Sequence, residues 1–149
     1  MRKLGLLVVL LTGALDTSSA APSDPPVLSS TAVTWEEIQA MGPAPKGRAN
    51  QVFRNPTATL DELELHVTTL PAGQDSHPPH KHPDEELIII KQGTLDAMVN
   101  GVTRRVGPGS VIFQAANQLH AIKNVGDTPA VYHVIRWNSP GMLAARKKD

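Results

Sequence analysis

Three histidines and one glutamate are the residues of this chain best suited to chemistry. His80 and His82 stand two apart in the run His80-Lys81-His82-Pro83-Asp84-Glu85-Glu86, and Gly93 closes it. In an extended strand successive side chains alternate faces, so positions 80, 82 and 86 share parity and are expected on one side. Two imidazoles and a carboxylate on one face make a partial site for a divalent transition ion. Such a site needs a further ligand, which His120 is expected to supply. The chain has no cysteine, which excludes thiolate ligation and a disulfide framework. Three imidazoles and a carboxylate suit Fe, Mn, Ni, Co, Cu or Zn, so one divalent ion is expected as cofactor without its identity being written in the ligand set. Open coordination positions would admit water, dioxygen or a chelating substrate. Glu86, the anionic ligand, is also the candidate catalytic base.

Each neighbour of this set has a plainer reading. Glu85 competes with Glu86, but parity and the spacing to Gly93 favour Glu86 and turn Glu85 away. Asp84 shares the ligands' parity but lies in the loop after Pro83. His77 is a rim residue, an outer partner of the ligands or an exposed loop histidine. His66 falls on the polar side of its strand and is expected to be exposed, and His133 to pack ordinarily in the last strand. No Ser-His-Asp order, phosphate loop or dinucleotide fingerprint is present, so any chemistry belongs to the metal.

The pattern His80-x-His82, three residues, Glu86, six residues, Gly93 resembles the first signature of the cupin superfamily. Gly109, His120 and Asn124 fall at the intervals of its second signature. The chain departs at Ala115, where the family often has Pro, and at Asn117, where it often has Gly; Asn also tolerates a left-handed turn. Gly73 lies one residue further from His80 than the signature's upstream glycine. The two signatures cover roughly 73–124, with weaker resemblance over 52–137. The resemblance implies an all-β fold, a double-stranded β-helix or jelly-roll barrel, in which the strands bearing His80 and His120 meet inside the mouth. It implies that Asn124 anchors backbone and that Gly93 and Gly109 serve turns. Among small cupins of the quercetin-dioxygenase-like, type-2 kind, it implies a metal-dependent, dioxygenase-like enzyme acting on a small organic molecule. Isomerisation, hydrolysis and decarboxylation use the same scaffold, and fold alone does not choose among them. A non-catalytic cupin that binds a small molecule, a sugar or the metal is the reading from another class. The presence of all four ligands favours catalysis.

The elements that must position these residues follow from the rest of the chain. Residues 1–20 read as a signal peptide: Arg2 and Lys3, an apolar stretch from Leu4 to Leu15, then Ser18-Ser19-Ala20 before a cut ahead of Ala21. The stretch is shorter than the ~20 residues that cross a bilayer, so no stable membrane anchor is expected, and the chain is expected to be exported, periplasmic or secreted. Residues 21–50 read as a Pro- and Ser-rich arm with a short helix, opened by a capping box at Thr34 and Glu37. Trp35 and Ile38 of that helix are expected to be buried, with closure of one barrel end as the alternative. Residues 51–138 carry short strands separated by turns such as Asn100-Gly101, and 139–149 a solvated tail. The formal charge of zero becomes about −1 after cleavage and offers no basic face for nucleic acid. The expected partner is a small-molecule substrate or ligand; a homodimer is an open option.

Overall fold

The computed structural model describes residues 24–42 and 49–146. The expected signal peptide and the last three residues of the tail lie outside them. The chain order is α1 (Trp35–Ala40), β1 (Asn50–Asn55), β2 (Glu62–Leu70), β3 (Glu85–Gln92), β4 (Leu95–Val99), β5 (Val102–Val106), β6 (Val111–Gln114), β7 (His120–Asn124), β8 (Ala130–Asn138) and α2 (Met142–Arg146). The strands form two antiparallel sheets, one ordered β1-β2-β8-β3-β6 and the other β5-β4-β7. Ile88, Ile90, Tyr132 and Val134 from the first and Leu95, Ala97 and Ile122 from the second pack into one core. Each sheet buries its inward parity against the other, the condition that stabilises a double-layered β fold. This is the all-β, double-stranded barrel with a short N-terminal helix that the resemblance implied.

Helix α1 has only six residues, too few to persist alone in water. The capping box at its start is formed: Glu37 N donates to Thr34 Oγ1 at 3.2 Å and Thr34 N to Glu37 Oε2 at 2.7 Å. Ile38 is buried. The Trp35 ring lies 6.0 Å from that of His133 and 4.0 Å beneath Lys91 Nζ. Because Tyr132 and Val134 point into the core, His133 points outward. The helix therefore covers the outer face of the large sheet rather than a barrel end, and His133 has the ordinary packing role expected of it.

That cover inverts the reading of β2. Leu63, Leu65 and Val67 look like its core face, and Glu64, His66 and Thr68 like its solvent face. The structure turns Val67, 4 % exposed, outward with its parity mates, and directs His66 and Thr68 into the barrel mouth. His66 is thus not an exposed residue. Polar side chains face inward here because the interior at this end is a site rather than a core. The apolar run at Leu87 to Ile90 departs in the opposite sense: Ile88 and Ile90 are buried, whereas Ile89 remains 37 % exposed.

Turns hold the strands in register. Asn100 and Gly101 both have positive φ at the β4–β5 hairpin, and Asn117 adopts φ 60°, the left-handed role in which it stands for glycine. Gly93 is held more tightly. It has φ +90°, and a Cβ there would lie 2.6 Å from Ala130 Cβ and 2.7 Å from Ala130 Cα. Backbone cannot retreat as a flexible side chain can. Gly93→Ala is therefore expected to destabilise the domain by about 3 kcal/mol or more, from left-handed strain plus overpacking. Chemical denaturation checks this; Gly101→Ala, with open space around it, should cost less.

Candidate metal centre

The first signature is not one continuous strand. Strand β3 begins at Glu85, and parity does not carry from Glu86 back to the histidines. His80 is placed by a β-bridge to His120: His80 N donates to His120 O at 3.1 Å, and His120 N donates to His80 O at 2.9 Å. Directly paired residues project side by side, so this bridge sets the two imidazoles against each other with ring centroids 4.5 Å apart. His82 is held from two sides. Its carbonyl accepts from Asn117 N at 2.8 Å, and its Nδ1 is 3.1 Å from Asp84 O. Its ring lies 4.7 Å from that of His120 and 5.6 Å from that of His80.

Each of the three rings has Nδ1 against a backbone carbonyl: His80 on Pro78 O at 3.1 Å, His82 on Asp84 O, and His120 on Gln118 O at 2.8 Å. A carbonyl only accepts, so every Nδ1 carries a proton, and in the neutral ring Nε2 is the nitrogen that presents a lone pair. His120 Nε2 is buried without a partner. One ligand nitrogen from each of His80, His82 and His120 lies within 4.8 Å of the others. Three converging lone pairs with fixed tautomers are what an imidazole-bound divalent ion needs, outer hydrogen bonds included. The residues fit the metal that the sequence led us to expect.

Burial supports the same protonation state. It pushes His82 down to about 4, helped by the Arg136 charge, and it also lowers His77 and His120. A folded pKa below the unfolded value means that the unfolded chain binds more protons between the two. Stability of the metal-free protein is therefore expected to fall as pH drops from 6.5 toward about 4, the His82 window. Melting temperature against pH measures it in a Glu86→Gln background, which removes the opposite contribution of the raised Glu86 carboxyl; a curve flat or rising toward acid through that window would contradict the assignment.

Glu86 stands beside this cluster rather than in it. Its Oε2 is 3.6 Å from His82 Nε2 and 3.7 Å from Arg136 Nε. Burial raises its pKa, opposed chiefly by the Arg136 charge. Glu85 faces away, as parity required, and accepts from Trp137 Nε1 at 3.0 Å. Asp84 is 3 % exposed and its carboxylate contacts both Arg136 and Arg146. The tail is thus not wholly solvated: helix α2 brings Arg146 back to the ligand-bearing loop. Asn124 anchors backbone, donating to Leu70 O at 2.9 Å and Thr128 O at 2.8 Å.

The histidines open onto a cavity of about 190 Å³. His66, His77, Glu86, Gln114, Tyr132 and Arg136 also line it. His66 Nδ1 is 2.9 Å from Glu64 Oε1, a contact that holds Glu64 below the usual carboxylate range. Burial pushes Tyr132 up to about 12. Gln114, Tyr132 and Arg136 were absent from the residues the sequence singled out. A signal existed for each: Tyr132 and Arg136 share parity with core Val134, and Gln114 shares parity with core Ile112.

Comparison with known proteins agrees with this fold. Residues 66–136 match the family model described as Cupin domain. Dimethylsulfoniopropionate lyase DddQ of Ruegeria pomeroyi is 36 % identical over 64 residues, 42 % of this chain and 31 % of that protein. The match thus spans less than a third of the curated relative. The Cnp3 cupin domain of Schizosaccharomyces pombe superposes with a TM-score of 0.56 at 19 % identity, covering 67 % of this chain and 69 % of that one. A protein of unknown function from Rhizobium leguminosarum gives 0.59 at 14 % identity, covering 74 % and 99 %. At these identities the structural likenesses speak for fold alone.

Proposed function

Residues 66–136 of this chain form a cupin domain, and from that premise we propose that it is an exported, metal-dependent enzyme acting on a small organic molecule. The convergence of His80, His82 and His120 on the wall of a cavity carries the reading. A divalent ion bound there would supply Lewis acidity to an oxygen of the substrate. The chain's own residues do the rest. Carbonyls of Pro78, Asp84 and Gln118 fix the imidazole tautomers. The cavity, about 190 Å³, limits the substrate to a small molecule. Glu86, raised by burial, is placed at the edge of the imidazole cluster to take up a proton from that molecule, and is the carboxylate within reach as a fourth ligand.

A buried carboxylate tuned upward favours proton-transfer chemistry, elimination or isomerisation. The likeness of 64 residues to a lyase supports the same class. Oxygenation, the first expectation from the sequence, is the competing outcome. The deciding experiment screens metal-loaded protein against small organic acids, enols and alcohols, in air and under argon. Turnover that persists under argon is expected. Turnover only in air would make the protein an oxygenase, and binding without turnover under either gas would make it a non-catalytic binding protein. Export is tested by N-terminal sequencing from the native host: a start near Ala21 is expected, and an intact Met1 on cytoplasmic protein would refute it.

A further inference from the structure

Two polar groups on the cavity wall, the Gln114 amide and the Arg136 Nε, have no hydrogen-bond partner in the protein. Gln114 is 1 % exposed, and neither its Oε1 nor its Nε2 has a hydrogen-bond partner. An amide buried in that way costs stability, and an apolar side chain of similar size would cost less. The Nε of Arg136 is also buried without a partner. The two residues flank Glu86, which is register-paired with Gln114 on β6 and with Arg136 on β8. Directly paired residues share a face of the sheet. Arg136, Glu86 and Gln114 therefore form one row across three strands, facing the cavity that the three histidines also line.

The charges around this row count unevenly. Arg136 contacts Asp84 through Nη2, and lies 3.9 Å from Glu64 and 3.7 Å from Glu86. Arg146 shares Asp84, while Arg54 lies 3.8 Å from Glu64 but pairs at 2.8 Å with Glu62, so Arg54 and Glu62 add one charge of each sign and cancel. Two guanidinium groups, Arg136 and Arg146, thus face three carboxylates, Glu64, Asp84 and Glu86. The net charge is one negative. A divalent ion among the neutral imidazoles reverses it to one positive, and buried charge needs compensation.

We propose that Gln114 and Arg136 select a small monoanionic carboxylate substrate at the metal face, an assignment that rests on the metal reading above. The Arg136 Nε–H gives a charge-assisted hydrogen bond to the carboxylate. The Gln114 amide donates to the same group or accepts from a neighbouring hydroxyl. A monoanion restores neutrality, satisfies the orphaned donors and fits the limited volume.

Glycolate and glycolamide are nearly isosteric and both able to chelate. Because a carboxylate binds the ion better than an amide by itself, the preference is compared between the wild type and the Gln114 and Arg136 variants, which separates this from the metal reading. Each is titrated into cobalt(II)-loaded protein, followed by the visible absorption of the ion. Glycolate is expected to bind about tenfold tighter or more than glycolamide. Gln114→Leu is expected to keep cobalt affinity, lose about tenfold in glycolate affinity and raise the melting temperature of the metal-free protein, because it removes an unpaired buried amide. Arg136→Lys keeps a cation for Asp84 but lacks the Nε–H, and should narrow the preference for glycolate. Equal binding of the two probes to the wild type, or unchanged glycolate affinity in Gln114→Leu, would overturn the proposal while leaving the metal reading intact. Failure of the wild type to take up cobalt would overturn both.

Discussion

Replacing His120 with Ala is expected to lower affinity for a divalent ion by at least about a hundredfold. Loss of an outer hydrogen bond to a metal ligand already costs ~10–100-fold, and this change removes the ligand itself. His120 is 4 % exposed, and its Nε2 has no partner in the protein, so no neighbour is waiting to replace it. The bridge to His80 uses backbone atoms only and should survive. Comparison with His133→Ala guards against a general effect of losing an imidazole. His133 packs against Trp35 on the outer face, so that variant should keep wild-type ion affinity while losing some stability. Calorimetric titration with zinc or cobalt gives the affinities, and melting of the metal-free proteins gives the folds. Equal affinities in His120→Ala and the wild type would remove His120 from the site.

Glu86→Gln and Glu85→Gln should differ sharply although the residues are adjacent. Glu86 lies 3.6 Å from His82 Nε2 in the cavity. Its amide would be nearly isosteric, would accept no proton and would bind a cation less well. General base catalysis contributes ~10²–10⁴-fold, so Glu86→Gln is expected to cost turnover about that much, measured at full metal occupancy. Glu85 accepts from Trp137 Nε1 on the other face of the sheet. A glutamine carbonyl can accept the same bond, so Glu85→Gln should leave turnover within about twofold, the scale of an unchanged neutral acceptor. Equal damage from the two changes would mean that the carboxylate of the site has been misassigned.

Much of the fold was legible because local rules and long-range contacts agree there. The capping box at Thr34, the Asn100-Gly101 hairpin and the left-handed Asn117 are set by neighbours in sequence, and they stand as read. The site was legible in composition but not in cause. Parity along an imagined strand grouped His80, His82 and Glu86, whereas the structure groups the imidazoles through the His80–His120 bridge and leaves Glu86 at their edge. The inside and outside of β2 were reversed because alternation reveals two faces without saying which is covered. Helix α1 covers one, and the cavity makes the other polar. The contact of Arg146 with Asp84 spans sixty-two positions, and no local pattern near either residue encodes it.

X-ray absorption on cobalt-loaded protein tests the central claim most directly, because the ion's own neighbours are read without assuming a substrate. One ion per chain is expected, with the multiple-scattering signature of three imidazoles, reduced in His82→Ala and His120→Ala. An ion surrounded by oxygen alone, or a signal unchanged by both substitutions, would contradict the account.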